Sequence, residues 1–287
     1  LLPEAPDYFA RAQNTYLPEE HLAWQARATL RTGRWSQVLS AIGAMGDSQR
    51  NDPAWVYWRA RALLLQPSSE GLRTQALQLL ESIASVRGFY EQLALEELGQ
   101  RITVPPKPLA PNAAEKEAAA TNPGLQRALY AIRIGLRAEG VREWNYTTNL
   151  HAKGGMDDRA LLAAADLACQ NEVWDRCINT SERTKSFVDM EQRFPLPFKA
   201  AVVARCTQIG LDPAYVYGLI RQESRFIMDA RSGVGASGLM QVMPATARWT
   251  AKKIGLAGFQ PHQITDRDTN IAIGTGYLKL VLDSFDG

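Results

Sequence analysis

Two nearly identical pentapeptides, Trp24-Gln25-Ala26-Arg27-Ala28 and Trp58-Arg59-Ala60-Arg61-Ala62, stand 34 residues apart, each leading into a leucine-rich run, with Gly33-Arg34-Trp35 at the turn after the first. A period of this length belongs to two-helix hairpins that cannot bury their apolar faces alone and stack on their neighbours to do so. The recurring Ala and Trp residues, at helical spacing, are assigned to the core of that stack. Further amphipathic stretches run from Leu77 to Ile83, Tyr90 to Leu98, Gln126 to Glu143, Leu161 to Cys169 and Val173 to Ser181. Val104-Pro105-Pro106-Lys107-Pro108 and Pro111 lack the amide hydrogens a helix needs, so they read as a stiff exposed connection, and Phe194-Pro195-Leu196-Pro197 reads as a second link. No β signal stands out, apart from what a glycine-rich turn after Phe226 could hide. The expected fold is all-α, with a helical-repeat superhelix of stacked hairpins over residues 1–121, a linking helical domain over 122–194 and a different, C-terminal domain over 195–287.

A chain of 287 residues with 46% hydrophobic content can bury a sizeable core. No apolar run approaches the roughly 18 residues of a membrane span. The start, Leu1-Leu2-Pro3-Glu4, is not a basic-then-apolar secretion signal, so the sequence reads as a mature or trimmed chain. The net charge is +2, and the segment from Leu196 onward holds ten Lys/Arg against seven Asp/Glu, a mild basic excess that suits an anionic polymer. It has no basic–aromatic interleaving of the kind that marks a nucleic-acid surface. His21, His151 and His262 are far apart and none has a Cys or His partner at ligand spacing, so neither metal nor cofactor is expected. Cys169 and Cys177 bracket a plausible helix-to-helix corner. A disulfide there with Cys206 left free, and three buried free thiols, both remain open.

The most informative chemistry lies between Tyr217 and Pro244. Asp212 as N-cap and Pro213 at the first helical position start a helix. Val216, Leu219 and Ile220 precede Glu223 by seven, four and three positions, so the four side chains share a face. Burial of that face would set the acid against hydrocarbon, and desolvation together with the negative end of the helix dipole would favour its neutral form, as a general acid requires. The plainer alternative is a helix-end glutamate in water or paired with Arg221 or Arg225. Downstream, Gly233, Gly235 and Gly238 allow tight turns, Leu239, Met240, Val242 and Met243 supply an apolar wall, and Gln241 offers a donor and an acceptor.

Glu223-Ser224 followed by GASGLMQVMPATA from Gly235 to Ala247 resembles the signature of the soluble lytic transglycosylases, lysozyme-like enzymes that cleave bacterial peptidoglycan. The resemblance covers roughly Pro197 to Gly287, and the helical region before it is similar in character to the superhelical part of the large periplasmic members. It implies a lysozyme-like catalytic domain over 195–287, held by the superhelix on or near a ring, with Glu223 as the single acid/base and Ser232, Met240, Gln241 and Met243 lining the substrate groove. It further implies a periplasmic location and glycan strands as the partner. Members usually continue with an AYNAGP-like segment whose tyrosine and asparagine complete the site; nothing matching it occurs up to Gly287.

Many glycosidases need two carboxylates. Here the acids nearest Glu223 are Asp212 at the helix start and Asp229 six residues on, and none lies in the GLMQ stretch. The resemblance supplies the alternative: the N-acetyl oxygen of N-acetylmuramic acid attacks its own C1 after Glu223 protonates the β-1,4 oxygen, and the ionised Glu223 then removes the C6 hydroxyl proton as a 1,6-anhydro ring closes. Gln241 would orient the acetamide. Two other expectations are a muramidase that adds water, and a non-catalytic helical-repeat protein that binds or scaffolds peptidoglycan.

Overall fold

The computed structural model describes residues 2–12, 17–67, 70–150 and 153–285. Among them the regular structure is helical, with α-helices from Ala5–Phe9 to Arg267–Asp283 and no strand beyond isolated bridges, so the chain is all-α as its periodicity predicts. Both bridges, Arg231 with Ser237 and Ser237 with Val242, fall inside the glycine-rich turn. His151 lies outside the described residues. None of the described helices is long and apolar enough to cross a membrane.

The chain divides into two compact units, Leu1–Val104 and Pro105–Gly287. In the first, Glu19–Arg31 pairs with Trp35–Gly43, and Pro53–Leu64 packs on both Trp35–Gly43 and Glu70–Ile83. This is hairpin stacking, and the repeated alanines make it tight: Ala26, Ala60 and Ala62 are fully buried and let the helices approach closely. The repeated tryptophans behave differently from expectation. Trp58 is half-buried between two apolar clusters, whereas Trp24 is 45% exposed and carries the Arg27 guanidinium 5.1 Å from its ring. Only the alanine side of the first motif faces its neighbour, and the indole stays outside with the guanidinium of Arg27 over its ring.

The second unit begins in the proline-rich segment, which has no regular structure over 101–112. The end of this segment is tied down by Arg159, which donates to the carbonyls of Leu109 (2.6 Å) and Ala110 (3.1 Å) and forms a two-pronged pair with Glu115. The stretch from Gln126 to Glu143 is not one helix. It breaks into Pro123–Arg133 and Arg137–Asn149 at Gly135, which adopts φ +88° while Leu136 N–H bonds to Ala131 O (2.9 Å) and Gly135 N–H to Ile132 O (3.1 Å). That is a Schellman stop, and the amphipathic period runs through it because both helices of the hairpin bury the same side of the sequence. Asp158–Gln170 and Trp174–Ser181 form the next pair, joined by a disulfide between Cys169 and Cys177; Cys206 is free and buried.

After Phe194–Pro197 come Lys199–Ile209, Pro213–Glu223, Pro244–Lys253 and Arg267–Asp283 around a core of Val202, Val216, Ile220, Leu239, Ile271 and Ile273. This cluster sets the position of every group discussed next.

Candidate active site

The helix Pro213–Glu223 starts as the sequence predicts: Asp212 Oδ1 accepts from Ala214 N–H at 2.8 Å, with Pro213 next to it. Its end is fixed by Ser224. The Ser224 and Arg225 amides both bond to Ile220 O (3.0 and 3.1 Å), and Ser224 Oγ donates to the same carbonyl and accepts from Phe226 N–H at 3.1 Å. Arg225 and Phe226 follow with φ of +48° and +67°, an uphill conformation for side-chain-bearing residues. Burial of Phe226 against Tyr217, whose hydroxyl donates to Pro197 O, offsets that cost. The helix therefore stops with Glu223 as its last residue.

Val216 and Ile220 are fully buried and Leu219 half-buried, but Glu223 is exposed. The expectation of an acid set wholly against hydrocarbon is corrected here: the helix axis ends as the apolar stripe reaches residue 223, so the carboxyl projects past the core into a cleft. Neither Arg221 nor Arg225 reaches it. Arg221 donates from Nε to Arg193 O (2.7 Å), lies 4.4 Å from the Phe194 ring and pairs with Glu182, and Arg225 lies 3.6 Å from the other Glu182 oxygen. Among the described residues no cation or hydrogen-bond donor is paired with the Glu223 carboxylate.

The cleft has a volume of about 370 Å³ and is walled by Leu219, Met240, Met243, Gly274, Tyr277 and Val281, with Gln241 and Thr246 as its other polar groups. Glu223 is the one acid among its described lining residues. Asp212 sits at the far end of the same helix, about 16 Å away by helical rise, and Asp229 lies exposed in the turn. Three of the four expected groove residues, Met240, Gln241 and Met243, line this cleft. Ser232 does not. Its hydroxyl accepts from Ala236 N–H (3.0 Å), and its own amide bonds to Ala236 O (2.9 Å), which closes the glycine-rich turn.

Gln241 has φ +46°, and its amide nitrogen donates to both Ala230 O (3.0 Å) and Gly238 O (2.9 Å). Because both partners are carbonyls, they fix which end of the amide carries the hydrogens, and what Gln241 retains for a ligand is its acceptor oxygen.

Sequence reasoning missed the group that holds this wall in place. Asn270, fully buried on the last helix, accepts from Met240 N–H at 2.8 Å and donates to Ser237 O (3.1 Å) and Ile264 O (2.6 Å). Two glycines allow the approach: a Cβ on Gly238, where φ is +80°, would lie 2.1 Å from the Asn270 side chain, and one on Gly274 would lie 2.3 Å from Met240 Sδ. A lone asparagine thirty residues downstream carries no signal of its own in a single sequence; Gly238 and Gly274 were the only hint of close packing.

Fold and cleft together define a helical domain built around one carboxyl, and residues 202–287 match the family model described as the Transglycosylase SLT domain. Beyond that domain, the chain is similar to a longer protein: it is 29% identical to the soluble lytic murein transglycosylase of Escherichia coli K12 over 280 residues, 97% of this chain and 41% of that protein. Among solved structures it is similar to the X-ray structure of an inactive Glu-to-Gln mutant of lytic transglycosylase Slt from Pseudomonas aeruginosa, with a TM-score of 0.78 and 29% identity over 99% of this chain and 45% of that one. The 70 kDa soluble lytic transglycosylase from Escherichia coli gives a TM-score of 0.73 at 26% identity, covering 97% of this chain and 43% of that one. The chain thus spans less than half the length of these relatives.

Proposed function

We propose that this chain is a peptidoglycan lytic transglycosylase, cleaving the β-1,4 bond between N-acetylmuramic acid and N-acetylglucosamine with formation of a 1,6-anhydro end. The observation that carries the reading is a single carboxyl, Glu223, in a cleft with no second acid among its described lining residues. A two-carboxylate mechanism needs the pair within roughly 5–10 Å, and Asp212 is too far along the helix to serve. The substrate's own acetamide then has to supply the nucleophile.

In this reading Glu223 first gives its proton to the glycosidic oxygen and then, ionised, takes the proton of the C6 hydroxyl. The open cleft suits that double role. A glycan seated against Met240 and Val281 displaces water from the cleft and brings the glycosidic oxygen to the carboxyl. Gln241, with its N–H groups held by backbone carbonyls, is placed to accept from the acetamide N–H and so turn the acetamide oxygen toward C1. Met243 lines the same wall, and Ser232 contributes by fixing the turn. The relative that is an inactive Glu-to-Gln mutant is consistent with one essential glutamate in such enzymes.

Glycan strands are the proposed partner and the periplasm the proposed location, with the Cys169–Cys177 disulfide in keeping with an oxidising compartment. Within the second unit the proposed catalytic part is residues 195–287, following a linking part from 122, and the hairpin stack ahead of it serves as the repeat domain.

Digestion of purified sacculi followed by mass analysis of the fragments tests this. Anhydro ends are expected. Hydrated reducing ends would make the protein a muramidase, and binding without release would leave it a peptidoglycan-binding protein.

A further inference from the structure

The helix Arg267–Asp283 forms one wall of the cleft with Gly274, Tyr277, Leu278 and Val281, a stripe at i, i+3, i+4 and i+7. Asn270 ties the first turn of that helix to the Met240 backbone. Its other side is held by a group that the chemistry at Glu223 leaves unused. Arg205, on the helix Lys199–Ile209, donates from Nε to Thr275 Oγ1 (3.2 Å) and from Nη2 to Ala272 O (3.3 Å), with Nη1 on Gln208 Oε1 at 2.8 Å. By helical geometry Ala272 and Thr275 lie roughly 140° round the axis from the middle of the cleft stripe.

Cohesion alone does not account for this guanidinium. It is half-buried, no carboxylate is paired with it among the described residues, and burial pushes its pKa below the usual guanidinium value. A partly desolvated charge without a counter-charge adds little to a fold, and an apolar side chain in its place is commonly neutral or stabilising. Nor does Thr275 depend on it, since its hydroxyl already donates to Ile271 O at 2.6 Å. What the contact supplies is direction. Two donors on one rigid fork fix where the helix Arg267–Asp283 stands and how far it is turned about its axis, and a turn of that helix moves the whole cleft stripe together. On the cleft side Gly274 packs on Met240 with no room for a Cβ, so a small turn is felt at once.

We infer that Arg205 is a positioning residue for the substrate: acting through Thr275 and Ala272, it sets the wall of Gly274, Tyr277, Leu278 and Val281 at the distance from Glu223 that a glycan strand fills. The inference rests on the peptidoglycan reading of the cleft. Glu223 itself is held by the end of another helix, at Ser224, and does not depend on Arg205. The wall touches the bound strand and the transition state alike, so displacing it changes KM and leaves kcat nearly as it was.

The test measures initial rates of anhydro-end release from soluble glycan strands by the 287-residue chain, together with melting curves. Arg205→Met keeps the stem and removes the donors; it is expected to raise KM about tenfold, to leave kcat within about twofold and not to lower the melting temperature. Arg205→Lys, with one donor still in reach of Ala272 O, should recover most of the affinity. Thr275→Val removes only the Nε acceptor and should raise KM about threefold; it reads the same contact if Arg205→Met does not fold. A KM equal to the parent's in Arg205→Met and Thr275→Val overturns the role. So does a lower melting temperature with kcat reduced in step with the folded fraction and KM unchanged, which is what a merely structural residue would give. A parent that releases no fragments and binds no strand overturns the peptidoglycan reading itself, a different result from intact turnover that ignores Arg205.

Discussion

The side chain of Asn270 accepts a hydrogen bond from the backbone of Met240 at 2.8 Å and, through its nitrogen, ties that wall to Ser237 and Ile264. One buried amide thus holds three backbone groups, two in the glycine-rich turn and one in the 3-10 helix Pro261–Thr265, and both of its N–H hydrogens are used. Replacing Asn270 with Ala removes the partner while the backbone groups stay buried, at a cost of about 1–3 kcal/mol per unsatisfied group. The expected outcome is a fall of several degrees or more in the melting temperature, together with weaker strand binding, because Met240 and Gln241 sit on the released segment. An unchanged melting temperature would mean that the clamp contributes nothing.

For Glu223→Gln the fold should persist, since the side chain is exposed and unpaired, while release of anhydro fragments falls by at least about a thousandfold, as removal of a sole acid/base implies. Circular dichroism and fragment mass analysis together check it. Retained turnover would remove Glu223 from the mechanism.

Gln241→Glu keeps the size of the side chain and replaces the nitrogen that donates to Ala230 O and Gly238 O with an oxygen facing both carbonyls. The loss of two bonds and the new repulsion should destabilise the turn by about 2–4 kcal/mol. Thermal denaturation of the two proteins side by side reads the difference, and equal stability would show that the amide is not held as described.

Acid should weaken the second unit through Glu115. The Arg159 side chain, together with the Asn112 amide, holds this carboxyl at about 2, below its ordinary 4.5. With the folded value depressed, the contribution to stability is present above about 4.5 and is lost as pH falls from there toward about 2. Glu115→Gln should therefore melt earlier than the unsubstituted protein at neutral pH, with the two curves converging in acid. A gap that stayed constant across that window would contradict the assignment.

Reduction of the Cys169–Cys177 disulfide should destabilise the second unit. The bridge spans a sequence separation of only 8, and a short loop of this kind is worth about 2–3 kcal/mol by chain entropy. A reductant, or a double Cys→Ser replacement, should lower the melting temperature accordingly without affecting Glu223 chemistry.

Much of this architecture was legible beforehand, and the reasons are local. Asp212, Pro213 and the spacing of Val216 and Ile220 define a helix through bonds and periods that a sequence displays directly. The alanines of the repeats did the same for the hairpin stack. Features set by contact between distant segments were not legible. Glu223 shares a stripe with buried residues yet escapes burial because Ser224 ends the helix just there, and Trp24 shares a motif with Trp58 yet faces outward because only its alanine neighbours meet another helix. The break at Gly135 was hidden by a period that continues across the turn. Gln241 could be chosen as a groove residue from its neighbours, but that its nitrogen is engaged by Ala230 and Gly238 depends on where the chain folds back.

Glu182 takes up both guanidiniums that flank Glu223 in the sequence, those of Arg221 and Arg225. Charge that could have paired with the lone acid is drawn off to Glu182 instead. The lone acid is left without a counter-ion by a carboxylate that stands outside the cleft, and because Arg221 is anchored a second time on the Arg193 carbonyl, losing that carboxylate would release Arg225 alone.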